Sequence, residues 1–498
     1  MNILGETVLA DLLSGELSMV MQDLRAIRYY YQARQAVYED KAWSDHTLLS
    51  PNYQVLNLTA AFCLAAFSVL VIAQSCAAED KTTNGKSSTV PIKPATLEVK
   101  PEDPMTALAC DASFNKAVMA KVNSTILESF YSKEIGKKVW PDALEKQKDR
   151  ILSAKNLLEL SEGLNAAIDE LKTSHCKFLT INDDTFYFLN SLFHLHRQEP
   201  KAISVFPGFI TGGAGFDAQT VRFVLDGSPA AKAGILVADK ILTVNGFPFV
   251  GQANYFGADR ARMSIVLSRQ GKQHEFQFAV RKGKMYDMYV DAVEKSPRRF
   301  EKDGLQLGYI RLWCGGQRAQ EEMEAQLDEE PLKSCDGLIL DLRDGYGACS
   351  LDALDPFYRQ PAAYPDFEMT MRNGKKKVSR SYFDKPMVAI INGGSRSGKE
   401  MLAFSLKKTN RAKVIGDTTA GFFVAGKLFP INEKCALYLA IEDCSLSGVR
   451  LEGTGVEPEM KVENNKTSSH DHQLEIAKEE LIKRIRQTQE KEEAKTSS

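Results

Sequence analysis

The sequence contains no CxxC pair and no Cys/His cluster, so the common zinc-site patterns are absent although the chain carries nine cysteines. It has no long block of one charge sign: 63 lysines and arginines face 65 aspartates and glutamates, for a net charge of -2. That balance excludes an electrostatic reason to bind nucleic acid or another polyanion. No apolar run reaches the roughly 20 residues of a membrane-spanning helix. No CoA- or phosphate-binding pattern appears either, and no metal or organic cofactor is implied. What remains is ordinary globular composition, 44% hydrophobic and 26% charged, in 498 residues. That length calls for two to four domains.

One segment departs from this background. Leu58 to Ala73 reads LTAAFCLAAFSVLVIA, uncharged, followed by QSCAAEDKTTNGKSS. The run is short for a membrane span and suited to a secretory h-region, with small residues after it at Ala73-Gln74-Ser75 and Cys76-Ala77-Ala78. Some fifty residues precede it, and its near flank lacks lysine and arginine. An uncleaved anchor over 57–74 and a buried core helix are the alternatives; Cys76 as a lipidated cysteine is a further one. The favoured expectation is export, with the chain periplasmic or membrane-anchored and its working part outside the cytoplasm. In that setting Cys435 and Cys444 could pair across a hairpin.

The organisation read from the chain is an extension over 1–56, the apolar segment 57–78, and a Lys/Thr/Ser/Pro-rich linker over 79–104. A helical subdomain over 105–200 follows, where Leu157, Leu160, Leu164, Ile168 and Leu171 recur at helical steps. From 201 to 283 short β-type runs alternate with glycine turns. From 284 to 465 buried-strand runs such as GLILD and MVAII alternate with helices, which predicts an α/β core. Residues 466–498 form a terminal helix and a charged tail. His194 and His196, in LFHLH, alternate as on a strand; with no third ligand they are read as structural.

The segment INGGSRSGKE, Ile391 to Glu400, holds the chemistry. Gly393-Gly394 breaks an apolar strand, and EMLAFSLKK has helical periodicity, so Ser397 lies on a strand-to-helix turn. Ser397-Gly398-Lys399-Glu400 is a complete S-x-x-E capping box. A serine at that position also has unsatisfied backbone N–H groups beside it, fit to hold an oxyanion. Cap and nucleophile are both open from these residues alone.

Two resemblances narrow the choice. Gly227–Ala230, Ala233–Ile235, Asp239–Ile241 and Val244–Gly246 resemble a PDZ domain, with Ala238 where glycine is usual before the aspartate. That implies binding of an extended peptide at a sheet edge. The loop Gly208–Phe216 would hold the terminal carboxylate through Gly213, Gly215 and Phe216; the alternative is a PDZ-shaped lid that binds nothing.

Over about 105–481, LGYIRL, GLILDLRDGYG, KPMVAIINGGSRSGKEMLA, RAKVIGDTTAG and EGTGVEPEM together resemble the carboxyl-terminal processing peptidases, serine family S41. The resemblance implies a crotonase/ClpP-like core of ββα units and a serine nucleophile. Setting Glu400 on the family's glutamate makes Ser397 that nucleophile and Ser395 the outer serine. The lysine base of the processing branch, in Thr-Phe-Gly-Lys-Gly, meets Thr419-Ala420-Gly421-Phe422-Phe423 here, and phenylalanine accepts no proton. Lys427 is out of register, and Lys399 is expected on the helix surface.

The chain looks instead like the tricorn branch, which uses a Ser–His pair and a glutamate before Gly-Val-x-Pro. Ser174 and His175 in LKTSHCKFLT match the pair, and Glu452 in LEGTGVEPEM matches the glutamate. Gly398 and Gly347 would supply the oxyanion N–H groups. Against these roles stand plainer ones. His175 could complement a helix end, Ser174 could terminate that helix, and Glu452 could be a hairpin glutamate beside Glu457. The resulting expectation is a serine endopeptidase of protein or peptide substrates, acting through an acyl-enzyme on Ser397 with His175 as base. The alternative is an inactive peptide-binding protein that keeps the S41 fold.

Overall fold

Apolar runs with no polar alternation mark strands covered on both faces, and four of them build the centre of this molecule. The computed structural model describes residues 103–193, 203–213, 216–258, 262–280, 282–359, 367–370, 376–379, 382–463 and 471–496. Strands Leu305–Arg311, Gly337–Asp341, Met387–Ile391 and Ala412–Gly416 lie parallel and adjacent. Arg298–Lys302 completes the sheet antiparallel on one edge and Met460–Lys461 parallel on the other. Side-chain alternation splits Met387–Ile391 between two cores. Met387, Ala389 and Ile391 join the core shared with the helices Met285–Glu294, Gln317–Leu327 and Gly398–Lys408. Val388 and Ile390 face Leu474, Leu481 and Ile485 of the helix His472–Thr496. The expected mixed α/β core is present.

A charged network ties that last helix to the sheet. Asp341, fully buried at the end of its strand, accepts bonds from Arg343 Nη2 at 2.6 Å and from the Tyr309 hydroxyl at 2.8 Å. Arg343 continues to Asp471 at 2.7 Å. The arginines hold the Asp341 carboxyl well below the usual range, against a burial penalty that acts the other way. Changing Asp341 to alanine strands Arg343 without its inner partner. An expected loss of about 3–5 kcal/mol, read as a lowered midpoint in urea unfolding, follows from breaking a buried pair on one side only.

The helices Ala112–Ser129, Trp140–Ser153 and Leu157–Ile168 pack on one another and on a second sheet through Val122, Trp140, Leu160 and Leu437. Asn156 caps the third, its side chain accepting from Glu159 N–H at 3.0 Å. The chain then enters the strand Lys177–Thr180, antiparallel to Cys435–Asp443. That pairing is long-range and decides the site, because it carries residues 174–176 to the carboxyl-terminal half.

Between these parts stands an antiparallel sheet in the order Phe209–Gly213, Phe216–Val224, Lys240–Val244, Arg262–Arg269, Lys272–Ala279. It has its own core around Ile241, Met263, Ile265 and Leu267. The Gly-Ser-Pro turn starts the helix Pro229–Ala233: Ser228 Oγ accepts from Ala231 N–H at 3.1 Å. Ala238 has φ +70°, the left-handed region that glycine enters without a Cβ penalty.

One expectation fails here. Cys435 and Cys444 cannot bridge: Cys435 opens the strand Cys435–Asp443 and Cys444 directly follows its end. At about 3.3 Å per residue they are separated by far more than the 7 Å limit for bonded cysteines. Each is a free thiol. The extension 1–56, the segment 57–78 with Cys76, His194, His196 and Gly215 lie outside the described residues. Among the described residues no helix is long and apolar enough to cross a membrane.

Candidate active site

Strand Met387–Ile391 ends in Asn392-Gly393-Gly394, and the chain reverses into the helix Gly398–Lys408 at Ser397. Ser397 has φ +56° and ψ -127°, a conformation that costs a non-glycine residue on the order of 1–3 kcal/mol. Two acceptors hold it there. The Ser397 N–H donates to Phe422 O at 2.9 Å and to Glu400 Oε2 at 2.9 Å. The capping box is therefore present, and its glutamate does more than cap. Glu400, fully buried, also accepts from Thr419 Oγ1 at 2.6 Å, Gly421 N–H at 2.8 Å and Phe422 N–H at 2.9 Å. Burial raises its pKa, with these bonds opposing the rise. Ser395 is structural: its hydroxyl donates to Leu342 O at 2.9 Å inside the core.

The loop after Asp341 packs against this turn. A Cβ on Gly347 would stand 2.6 Å from Ser397 Cβ and 3.0 Å from Gly398 N, so only glycine fits. Neither Gly347 N–H nor Gly398 N–H has a hydrogen-bond partner among the described residues. Two free donors flank the Ser397 side chain, as an oxyanion hole requires. Gly315 and Gly316 brace the loop from behind, donating to Gly347 O at 2.5 Å and Ala348 O at 2.8 Å. Tyr346 anchors it in the main core, stacked on Phe188 at 3.7 Å and bonded to Thr185 Oγ1 at 3.0 Å.

His175 lies at a turn with φ +56°, just before the strand Lys177–Thr180. Its Nδ1 is 2.9 Å from Ser174 Oγ. Ser174 Oγ is also 2.8 Å from Glu452 Oε2, and the Ser174 N–H donates to Glu452 Oε1 at 2.8 Å. The serine has one hydroxyl proton, and the carboxylate is the stronger acceptor. The network thus assigns the imidazole proton to Nδ1, donating to Ser174, and leaves Nε2 as the unprotonated ring nitrogen. Burial, then the charge of Arg396, lowers the His175 pKa to about 4, so the ring is neutral at physiological pH.

The two halves meet at residues 422–423. Phe422 O accepts from Ser397 N–H, and the next N–H, of Phe423, donates to Glu452 Oε2 at 2.6 Å. Glu452 and Ser397 are thereby held by adjacent peptide groups of one segment. Arg396 adds a second link: it precedes Ser397, acts electrostatically on His175, and donates from Nη2 to Gly345 O at 3.0 Å. Its guanidinium lies 4.7 Å from the Tyr346 ring centroid.

The lysines are placed elsewhere. Lys399, expected on the helix surface, is fully buried, correcting that reading. Its Nζ donates to Asp344 O at 2.6 Å and Trp313 O at 3.4 Å, tying the helix to the loop that carries Gly347. Desolvation brings its pKa down to about 8. Helical periodicity gave no sign of this, because the cavity that receives the ammonium is made by two distant carbonyls. Lys427 is exposed, with Nζ 5.3 Å from the centroid of the Phe429 ring. Arg396 was also missed; its only sequence signal is its place between two serines of the turn.

Gly213 closes the hairpin opposite Phe216, and a Cβ on it would lie 3.0 Å from Arg222 Nη1. Arg222 pairs with Asp344 at 3.1 Å. Among the described residues no group of His, Cys, Asp and Glu is arranged to hold a metal ion.

Residues 306–462 match the profile of Peptidase family S41. The carboxy-terminal-processing protease of Bartonella bacilliformis is 26% identical over 265 residues, 48% of this chain and 57% of that protein. The carboxy-terminal processing protease CtpB of Bacillus subtilis is 26% identical over 252 residues, 47% of this chain and 50% of that one. The chain thus spans about half the length of the curated relatives it matches. Among solved structures, the crystal structure of the tricorn protease aligns with a TM-score of 0.47 at 19% identity, over 75% of this chain and 37% of that one.

Proposed function

We propose that this chain, which carries a peptidase family S41 domain and is homologous to carboxy-terminal processing proteases, is a serine endopeptidase that cleaves protein or peptide substrates through Ser397. The observation that carries the reading is the hydrogen-bonded series Glu452–Ser174–His175, fastened through Phe422 and Phe423 to the turn that presents Ser397. A neutral hydroxyl needs a base, and an imidazole held as the Nδ1–H tautomer offers one at Nε2.

In this mechanism Ser397 Oγ forms a bond to the substrate carbonyl carbon while its proton passes to His175 Nε2. The carbonyl oxygen becomes an oxyanion, taken by Gly347 N–H and Gly398 N–H. Glu452, through the Ser174 hydroxyl, stabilises the imidazolium without itself accepting the proton. The C–N bond breaks as His175 returns the proton to the leaving amine. Water then repeats the sequence on the acyl-enzyme and frees Ser397. All of these groups belong to the chain itself.

The antiparallel sheet over 203–280 is proposed as a PDZ domain and the sheet-and-helix core as crotonase/ClpP-like. The capped helix Pro229–Ala233 and the hairpin glycine Gly213 support the first, and the sheet covered by helices on both faces supports the second. Export directed by residues 57–78 is proposed from the sequence of that segment. The peptidase reading is tested with a fluorophosphonate probe. Wild-type protein is expected to be labelled, with peptide mapping placing the adduct on Ser397. Folded protein that stays unlabelled returns the chain to a peptide-binding role without catalysis. Alanine at His175 is expected to remove labelling and alanine at Lys427 to leave it; the opposite pattern replaces the imidazole with an amine as base.

A further inference from the structure

The segment that joins the two halves of the site carries two phenylalanines with opposite fates. Phe423 is partly buried and packs on the main core. Phe422 is 43% exposed, although both of its peptide groups are fixed: its N–H is held by Glu400 and its carbonyl holds Ser397 N–H. The ring therefore projects to solvent from a backbone position one hydrogen bond away from Ser397. A second exposed apolar side chain, Leu351 at 67%, comes from another segment that reaches the turn. Two residues before it, Cys349 packs so closely on Gly398 that a Cβ there would lie 2.7 Å from Cys349 Cα. Exposed large apolar groups at two segments that both touch the serine turn leave surface that water solvates poorly and that a docked chain would cover.

We infer that Phe422, with Leu351, forms an apolar platform that selects substrates carrying a large aliphatic or aromatic side chain next to the scissile bond. This rests on the peptidase reading and extends it to the substrate class. A polypeptide laid over Ser397 passes the segment that carries Phe422, whose peptide groups Glu400 and Ser397 hold in place. An apolar one buries that ring and itself, whereas a charged one loses hydration there without gaining a partner. The ring has no role in proton transfer. Its contribution is discrimination, expressed as a ratio of kcat/KM values.

The test uses full-length protein and fluorogenic peptides that differ only in the residues flanking the cleaved bond, Phe or Leu against Asp or Lys. Wild type is expected to favour the apolar peptides by about 10- to 100-fold, the span that hydrophobic contacts supply. In F422A that ratio is expected to fall about tenfold, and F422L, which keeps an apolar side chain, to retain most of it. L351A is expected to lower the ratio less. A purely structural role for the ring would slow both peptide classes together and leave the ratio unchanged, and that outcome overturns the inference while sparing the peptidase reading. Wild-type protein that cleaves neither class and takes no fluorophosphonate removes the peptidase reading, and the substrate class with it.

Discussion

Alanine at Ser397 is expected to lower kcat/KM on any cleaved peptide by about 10⁴- to 10⁶-fold and to abolish fluorophosphonate labelling. The size follows from what remains: the proposed oxyanion donors, Gly347 N–H and Gly398 N–H, and the substrate-binding surface still act, so catalysis falls toward the residual of an oxyanion hole rather than to that of bulk water. The same change costs stability far less. Ser397 stands at the start of the helix Gly398–Lys408, and losing a serine cap is worth about 1 kcal/mol. Alanine keeps the backbone N–H that Phe422 and Glu400 hold, so the turn stays closed. The two roles of this residue thus separate by measurement. Near-complete loss of turnover with a melting temperature lowered by only a few degrees supports the nucleophile. Turnover that survives together with the same modest destabilisation leaves Ser397 as a cap alone.

Local signals carried the elements whose causes are local. Apolar runs such as MVAII gave buried strands because a sheet covered on both faces admits nothing else, and Ser228, Gly234 and Asn245-Gly246 punctuated the smaller sheet as their backbone angles require. The grouping of Ser174, His175 and Glu452 came from the family resemblance, and their hydrogen bonds give it a physical form. What stayed hidden depends on pairings distant in sequence. Lys399 has the spacing of a surface residue, yet the backbone carbonyls of Trp313 and Asp344 turn that face of the helix into a buried socket. The cysteine pairing failed for the related reason that residues 435–443 form one continuous strand and not two sides of a hairpin. The neighbours of Arg396, which are Tyr346, Tyr438 and His175, come from three separate segments, so nothing local in the sequence marks its role.

That arginine gives the second large expected effect, on the pH dependence of the reaction. His175 is held neutral by burial first and by Arg396 second, with a pKa of about 4 in place of 6.5. In the proposed role of general base it must be unprotonated in the free enzyme, so kcat/KM is expected to stay level from neutral pH down to about 5 and to fall through an acid limb near 4. Stability has a matching sign. The folded-state pKa lies below the unfolded one, so the unfolded chain takes up the proton first, and folding weakens as pH drops from about 6.5 to about 4.

Changing Arg396 to glutamine removes the cation but leaves the burial. The acid limb is then expected to move upward toward the ordinary histidine value and to stop short of it, because desolvation is the larger cause. The same variant loses the bonds to Gly345 O and the contact with Tyr346, so its plateau rate falls as well. The plateau reports positioning and the limb reports charge. Lysine at 396 restores the cation without the planar fork, and it is expected to return the limb toward its original place while leaving the plateau low. An acid limb that stays put in the glutamine variant means that another group sets it, and the imidazole then loses its assignment as the base.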